Sequence, residues 1–282
     1  MRRALTSRAV LSAFVACLSI AGSSQAMTVN NPFISADVPD PSIIRVGDMY
    51  YMSSTTMHFC PGLPIMESPD MVHWKMASYA YDSLGNTDAM TLTNGKEMYG
   101  GGSWASSLRY AKGWFWALVS SNTTGKTYLY KTQDVRRTPW ILHKVFNALY
   151  YDPSLFFDDD GKAYIACGNG NIRLVPLNDD LTAATGTTTT IVTSAQFAAL
   201  NATGLDEGSH LEKIKGWYYL FIIANPGVRT VVCFRSRNIT GPYEGKIVLQ
   251  HKPCCDGVAQ GSLVQMADSS WRAICTVVGL GL

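Results

Sequence analysis

Short apolar runs interrupted by a polar, usually glycine-centred turn recur along the chain. Four of them are "DPSIIRVGDMYYM" from Asp40, "WASSLRYAKGWFWALVSS" from Trp104, "DPSLFFDDDGKAYIACG" from Asp152 and "EGSHLEKIKGWYYLFII" from Glu207. A weaker copy, "QGSLVQMADSSWRAICTVV", begins at Gln260. Each has the pattern of a short strand, a turn and a second strand, so the chain is predicted to contain five such β-hairpins.

A second pattern follows in four of the units, an apolar run closed by a polar turn: "IMESPDMVHW", "YLYKTQDVRRTPW", "RLVPLNDDLT" and "VVCFRSRNITGPY". Two hairpins make four strands per unit, and the aligned serines lie 48 to 64 residues apart: Ser42, Ser106, Ser154, Ser209 and Ser262. This spacing predicts an all-β, five-bladed β-propeller. Only 22 residues follow Gln260, so the fifth blade is expected to be incomplete. A helical turn is indicated only in "TSAQFAALNATG".

The residues two positions before the aligned serines form the strongest chemical signal: Asp40, Trp104, Asp152, Glu207 and Gln260. The first strand of each propeller blade lines the central channel, so these side chains are expected to face one axis. Converging carboxylates in a partly desolvated funnel cannot all ionise normally, and glycoside hydrolysis needs one protonated and one ionised carboxyl group. The alternative is that each acid only caps a turn. Pro41 is expected to hold Asp40 in an extended conformation.

Five segments, "PDPSIIRVGDMYYMSST", "GSWASSLRY", "YDPSLFFDDDGKAYI", "EGSHLEKIKGWYYLF" and "GPYEGKIVL", resemble glycoside hydrolase family 43, and within it the β-xylosidase and α-L-arabinofuranosidase branch. The resemblance extends from about residue 31 to residue 265. It implies a five-bladed propeller and hydrolysis with inversion at the anomeric carbon. It also implies that Asp40 is the general base, Glu207 the general acid, and Asp152 the carboxylate that orients the acid.

Other candidate substrate contacts are Trp104, Gln260, His210 and a loop after the first hairpin, and all but Gln260 have two interpretations. Trp104 forms a wall of the sugar pocket or is a buried structural indole, and Gln260 completes the ring of substrate contacts. In the loop "MHFCPG", His58 or Phe59 contacts substrate, or the loop is a plain turn. His210 contacts substrate or a hydrogen-bond partner, or is simply an inner-strand residue.

Two further acidic features are predicted to play no part in catalysis. The triplet Asp158, Asp159 and Asp160 is predicted to be a solvated hairpin turn, and Asp206 is predicted to point away from the site.

The N-terminus predicts export. Residues 1–26 have a basic start with Arg2, Arg3 and Arg8, an apolar segment, and small residues before a cleavage site at Ala26, as in a secretory signal peptide. The mature domain is then residues 27–282, secreted or periplasmic in a bacterium. Its six cysteines fit no zinc spacing, and either free thiols or one or two disulfides are compatible with export.

Composition and resemblance together limit the partners. A formal charge of +2, without clustered Lys or Arg, argues against nucleic acid, and no run after residue 26 is long enough to cross a membrane. We expect a monomer that binds arabinose- or xylose-containing saccharides and needs no cofactor for its chemistry. The resemblance implies a structural calcium in the family, but the usual histidine of that site is not found.

The function expected from the sequence is that of a secreted inverting exo-glycosidase acting on terminal α-L-arabinofuranosyl or β-D-xylosyl residues of plant cell-wall polysaccharides. The alternative is a carbohydrate-binding pseudoenzyme that lost turnover with its last blade. A protein-interaction propeller is a third hypothesis, which the ring of carboxylates argues against.

Overall fold

A computed structural model describes residue 34 and residues 36–250 and 257–278, which form an all-β propeller. Four sheets have four antiparallel strands each, and every strand pairs with its neighbours along the chain. A further sheet has two strands. The predicted signal peptide, together with Cys254 and Cys255, lies outside the described residues.

The first sheet consists of β1 (Ser42–Val46), β2 (Met49–Ser53), β3 (Gly62–Ser68) and β4 (Lys75–Tyr81). The second consists of β5 (Ser106–Ala111), β6 (Trp114–Ser121), β7 (Lys126–Thr132) and β8 (Ile141–Phe146). The third consists of β9 (Ser154–Phe157), β10 (Ala163–Cys167), β11 (Ile172–Leu177) and β12 (Thr189–Val192). The fourth consists of β13 (Leu205–Ile214), β14 (Trp217–Ala224), β15 (Thr230–Ser236) and β16 (Glu244–Gln250). The two-stranded sheet consists of β17 (Gly257–Gln265) and β18 (Trp271–Val278), and the helices are α1 (Asp88–Thr91) and α2 (Ser194–Ala199).

The predicted turns have the backbone that tight hairpins require. Lys112-Gly113 joins β5 to β6 and Lys215-Gly216 joins β13 to β14, in both cases with positive φ at the two residues. Such two-residue turns match the right-handed twist of the strands they connect, and glycine is favoured in them because it adopts positive φ without steric cost. The glycine-centred pattern in the sequence therefore located these turns correctly.

The predicted helical turn is confirmed as α2. Thr193 and Gln196 form a capping box at its start, and Phe197 packs edge-on against Phe234, with ring centroids 5.0 Å apart. Helix α1 was not predicted, because its four residues bury no side chain and so leave no amphipathic pattern.

Serine hydroxyls join β1 to β5, β5 to β9, β9 to β13 and β17 to β1; the serines are the repeated Ser42, Ser154 and Ser262, and Ser107 beside the repeated Ser106. The Ser42 hydroxyl accepts a hydrogen bond from the Leu108 N–H at 2.9 Å, so that β1 is joined to β5. Equivalent bonds link Leu155 N–H to Ser107 at 3.0 Å, Leu211 N–H to Ser154 at 3.0 Å, and Ile43 N–H to Ser262 at 2.7 Å. The last of these bonds places β17 beside β1, so the two-stranded sheet follows the fourth sheet and adjoins the first.

Apolar clusters fill the spaces between neighbouring sheets. One between the third and fourth sheets contains Leu174, Phe197 and Leu220, and another joins Ile43 and Met52 of the first sheet to Val264 and Ile274 of the two-stranded sheet. Burial of each such side chain stabilises the fold by about 1.5–3 kcal/mol. Apolar packing between sheet faces therefore stabilises the arrangement of neighbouring sheets.

The prediction of a solvated acidic turn was wrong for Asp158. Its side chain is only 8% exposed and accepts hydrogen bonds of 2.6 Å from Lys213 Nζ and Tyr218 Oη. Strand β13 supplies this lysine from a neighbouring blade, and nothing in the local "DDDGK" pattern shows that partner. Asp159 and Asp160 are exposed as predicted.

Two other findings concern the cysteines and the helices. The four cysteines that the structure describes, Cys60, Cys167, Cys233 and Cys275, are free thiols. Among the described residues, no helix is long and apolar enough to cross a membrane.

Candidate active site

All five residues of the predicted ring line a single pocket of about 210 Å³: Asp40, Trp104, Asp152, Glu207 and Gln260. Each lies at or just before the first strand of its sheet, so the repeat in the sequence becomes a ring in space. Three carboxyl groups therefore face one small cavity from three different sheets.

Asp40 is fixed by one hydrogen bond to its carboxylate and one from its backbone N–H. The Thr55 hydroxyl donates to Asp40 Oδ2 at 2.8 Å, and the Asp40 N–H donates to the Thr276 hydroxyl of β18 at 3.0 Å. The expectation of an extended Asp40 was wrong, because its φ is 52°, in the left-handed region. Aspartate tolerates this region better than most residues, and the two threonine contacts hold it there.

The pKa of Asp40 reflects its surroundings in the pocket. Burial raises the pKa of this carboxyl, the Thr55 hydrogen bond lowers it, the Glu207 charge raises it, and the Arg229 cation lowers it. The net direction is upward. Thr55 and Arg229 are thus the groups that favour the ionised form of Asp40.

Asp152 occupies the equivalent position in the third sheet and has the same left-handed backbone, with φ 44°. Its Oδ2 accepts a hydrogen bond from the Gly208 N–H at 3.1 Å. Burial, followed by the charges of Glu207 and Asp40, raises the pKa of Asp152 to about 7. Asp152 is therefore part-protonated at neutral pH. The hydrogen bond from the Gly208 N–H links Asp152 to the backbone next to Glu207.

Glu207 projects from an irregularity in β13. The pairing of β13 with β14 shifts register on both sides of Glu207, and such bulges re-aim side chains next to active sites. Gly208 has φ 76°, and a Cβ there would lie 3.0 Å from Ile223 Cγ1 and 3.2 Å from Gln260 Oε1. A glycine is therefore required for the backbone to turn toward Asp152. Glu207 Oε2 accepts a 2.7 Å hydrogen bond from Asn169 Nδ2.

Trp104 and Gln260 complete the ring in different ways. Trp104 is 39% exposed and lines the pocket, so its indole is a wall of the cavity rather than a buried core residue. Gln260 is buried and lines the pocket next to Gly208.

Two of the predicted substrate contacts do not line this pocket. His210 is buried among the inner strands, where its Nε2 lies 3.0 Å from Glu212 Oε1, and Arg109 binds the same oxygen at 3.1 Å. Burial and the Arg109 cation lower the pKa of His210, so it is a neutral inner-strand residue. Phe59 is 66% exposed and packs on His58 outside the pocket, with ring centroids 4.3 Å apart.

Further residues of the pocket were not predicted, among them the polar side chains of Asn122, Tyr151 and Arg229. Burial and the neighbouring carboxylates of Glu207 and Asp152 raise the pKa of Tyr151 to about 12, so it is a hydrogen-bond donor. The place of Tyr151 beside Asp152 is a signal that sequence reasoning could have used. Arg229 lies in the loop before β15 and Asn122 in the turn after β6. Neither position belongs to the repeated pattern, so the sequence offered no signal for these two residues.

The residues around Arg109, between the inner strands, do not fit the calcium site implied by the family resemblance. The Arg109 guanidinium lies between the inner strands, where Nε donates to the Leu155 carbonyl at 2.7 Å and Nη2 donates to the Leu211 carbonyl at 3.1 Å. These carbonyl oxygens thus accept hydrogen bonds from the Arg109 guanidinium, a positively charged group that occupies the space between the strands. Within residues 36–250 and 257–278, no three His, Cys, Asp or Glu side chains are grouped as metal ligands.

The family model for glycosyl hydrolases family 43 matches residues 29–278. The chain belongs to glycosyl hydrolase family 43. A non-reducing end α-L-arabinofuranosidase of Bacteroides ovatus, BoGH43B, is 33% identical over 262 residues, which cover 88% of this chain and 47% of the relative. A xylan 1,3-β-xylosidase of a Vibrio species is 31% identical over 237 residues, covering 77% of this chain and 42% of the relative.

Solved structures of family 43 show the same fold. A bifunctional GH43-CE protein of Bacteroides eggerthii superposes with a TM-score of 0.82 at 48% identity, over 88% of this chain and 32% of the other. The chain spans somewhat less than half the length of the curated relatives named above.

Proposed function

We propose that this family 43 chain is an inverting exo-glycosidase that removes terminal α-L-arabinofuranosyl or β-D-xylosyl residues from plant cell-wall polysaccharides. The observation that carries the proposal is the convergence of Asp40, Asp152 and Glu207 on one pocket walled by Trp104. A small cavity closed by inner strands accommodates the end of a sugar chain, and an indole face packs against a pentose ring.

The chemistry requires two carboxyl groups in opposite protonation states. Glu207 donates a proton to the glycosidic oxygen as the bond from the anomeric carbon breaks. Asp40, whose ionised form Thr55 and Arg229 favour, takes a proton from the water that attacks the opposite face. Asp152 orients the loop of the acid through the Gly208 N–H.

The two curated relatives support pentose substrates, since one is named for terminal arabinofuranose and the other for xylose. We further propose that the protein is exported, acts as a monomer and needs no cofactor for this reaction. Its proposed ligands are arabinose- or xylose-containing oligosaccharides.

The two-stranded sheet is proposed to be the inner half of a fifth blade. Its strand β17 carries Gln260 at the ring position and Ser262 at the serine position, as in the four other sheets. Strand β18 supplies Thr276, which binds the backbone of Asp40. The half-blade therefore contributes to the proposed base as well as to the fold.

The proposed activity is tested with 4-nitrophenyl α-L-arabinofuranoside and β-D-xyloside, on protein shown to be folded by circular dichroism. Release of nitrophenol from at least one substrate is expected. Binding of arabinose or xylose by calorimetry without any hydrolysis would instead indicate a carbohydrate-binding pseudoenzyme.

Replacement of Arg229 by Gln is expected to move the acidic limb of the kcat/KM profile to higher pH by about half a unit to one unit. The Arg229 cation lowers the pKa of Asp40, so its loss raises that pKa, and the base then stays protonated to a higher pH. The measurement is the pH dependence of kcat/KM. Arg235→Gln, on β15 with its charge paired to Glu244, is the control and should leave the limb unchanged. A limb that moves to lower pH in Arg229→Gln would contradict this assignment.

A further inference from the structure

The turn between β10 and β11 binds the backbone next to two pocket carboxyl groups, Asp152 and Glu207. The Gly168 N–H donates to the Tyr151 carbonyl at 2.9 Å, one residue before Asp152. The Gly170 N–H donates to the Asp206 carbonyl at 3.0 Å, one residue before Glu207. Between these two glycines, the Asn169 amide donates to Glu207 Oε2 at 2.7 Å. This one turn thus connects the backbone that carries Asp152 with the part of β13 that carries Glu207.

This turn has a defined shape. Gly168 has φ 144°, and a Cβ there would lie 2.2 Å from the Asn171 carbonyl oxygen, so only glycine fits. The Asn171 side chain faces elsewhere, because its Oδ1 accepts from the Ser194 N–H at the start of α2 at 3.0 Å. The backbone on either side of Asn169 is therefore fixed, and its exposed side chain reaches Glu207 from that defined turn.

The direction of the Asn169 bond has a chemical consequence for Glu207. A side-chain NH₂ group only donates, so the glutamate oxygen that faces it must accept. In a neutral carboxylic acid one oxygen carries the proton, and the carbonyl oxygen is the better acceptor. The Asn169 hydrogen bond to Oε2 therefore favours the form of protonated Glu207 in which the proton lies on Oε1.

We propose that Asn169 is a positioning residue that keeps the transferable proton of the general acid on Glu207 Oε1, the oxygen that Asn169 does not bind. This inference rests on the proposed function. In the step, the Oε1–H bond breaks and the proton passes to the leaving oxygen, whose bond to the anomeric carbon breaks. Water adds to that carbon and loses a proton to Asp40. The ionised Glu207 then keeps the Asn169 hydrogen bond, which is strengthened by the charge.

The test compares Asn169→Ala and Asn169→Asp with Asn171→Ala. The aspartate variant keeps the shape but replaces the donor by an acceptor, and the Asn171 variant loosens the same turn without touching Glu207. Substrates are phenyl pentosides, which need a proton donor, and 2,4-dinitrophenyl pentosides, which do not. Both Asn169 variants are expected to lose about 10- to 100-fold in kcat on the phenyl substrates and less than about 3-fold on the dinitrophenyl ones. Asn171→Ala should keep the wild-type ratio between the two.

Equal losses on both substrate classes, or wild-type rates on the phenyl pentosides, would overturn the role of Asn169. A wild-type protein without activity on any pentoside would contradict the proposed function instead. The contact itself is then tested by ¹⁵N NMR, in which the Asn169 side-chain amide proton should be shifted downfield in the wild type and lose that shift in Glu207→Ala. An unchanged amide signal in that variant would also overturn the inference.

Discussion

Replacement of Glu207 by Gln is expected to lower kcat for phenyl pentosides by about 10²- to 10⁴-fold, the range that a positioned general acid contributes. The amide cannot release a proton to the leaving oxygen, yet its carbonyl still accepts the Asn169 hydrogen bond, so the loop keeps its geometry. Hydrolysis of 2,4-dinitrophenyl pentosides should fall far less, because that leaving group departs without protonation. Steady-state kinetics on the two substrates measure the difference.

The control for this variant is Glu244→Gln, an exposed position on β16 outside the pocket, which should have wild-type kinetics. Unfolding temperatures of both variants establish that the fold is retained. Wild-type rates of Glu207→Gln on the phenyl substrates would contradict the assignment of Glu207 as the acid.

Replacement of Asp152 by Asn is expected to stabilise the protein at pH 8 by up to about 4 kcal/mol while lowering its activity. Burial beside Glu207 and Asp40 raises the folded-state pKa of Asp152 to about 7, from an ordinary value of 3.8. Each unit of such a shift corresponds to about 1.4 kcal/mol. The ionised carboxylate is thus a cost to the folded state, and the amide removes that cost while its oxygen still accepts from the Gly208 N–H.

The stability gained in Asp152→Asn is expected to increase with pH. Because the folded state holds the proton of Asp152 more tightly than the unfolded chain does, stability falls as pH rises from about 4 to 7. The gain in Asp152→Asn should therefore be absent near pH 4, grow up to pH 7 and be constant above it. Urea unfolding between pH 4 and pH 8 measures it, with Asp48→Asn in an exposed turn as the control. A variant less stable than the wild type at pH 8 would contradict the electrostatic account of the pocket.

The five ring residues could be predicted from the sequence because residues at the same position of successive propeller repeats lie around one central axis. A serine that repeats in every unit marks the inner strand, and in Ser42, Ser154 and Ser262 its hydroxyl accepts a hydrogen bond from the N–H of an adjacent inner strand. The residues two positions earlier then necessarily face the same pocket. This is why Trp104 and Gln260, which have no charge, were found together with the three acids.

The remaining features depend on contacts that no local pattern shows. Arg229 reaches the pocket from a loop outside the repeat, and Asp158 is buried by a lysine from another blade. His210 shares the inner strand with Glu207, but the bulge between them turns its imidazole toward Glu212 and Arg109 instead of the pocket. The left-handed backbone of Asp40 was missed because a following proline alone favours an extended residue, whereas Thr55 and Thr276 decide its conformation.

The central claim, that Asp40 and Glu207 carry out hydrolysis with inversion in this pocket, is tested most directly by ¹H NMR of the first sugar released from an aryl β-D-xyloside or α-L-arabinofuranoside. With the wild-type protein, α-xylose or β-arabinofuranose should appear first and only later equilibrate with the other anomer, and neither should appear with Glu207→Gln on a phenyl substrate within the same time. A first product with the configuration of the substrate, or the same product at the same rate from Glu207→Gln, would contradict the account.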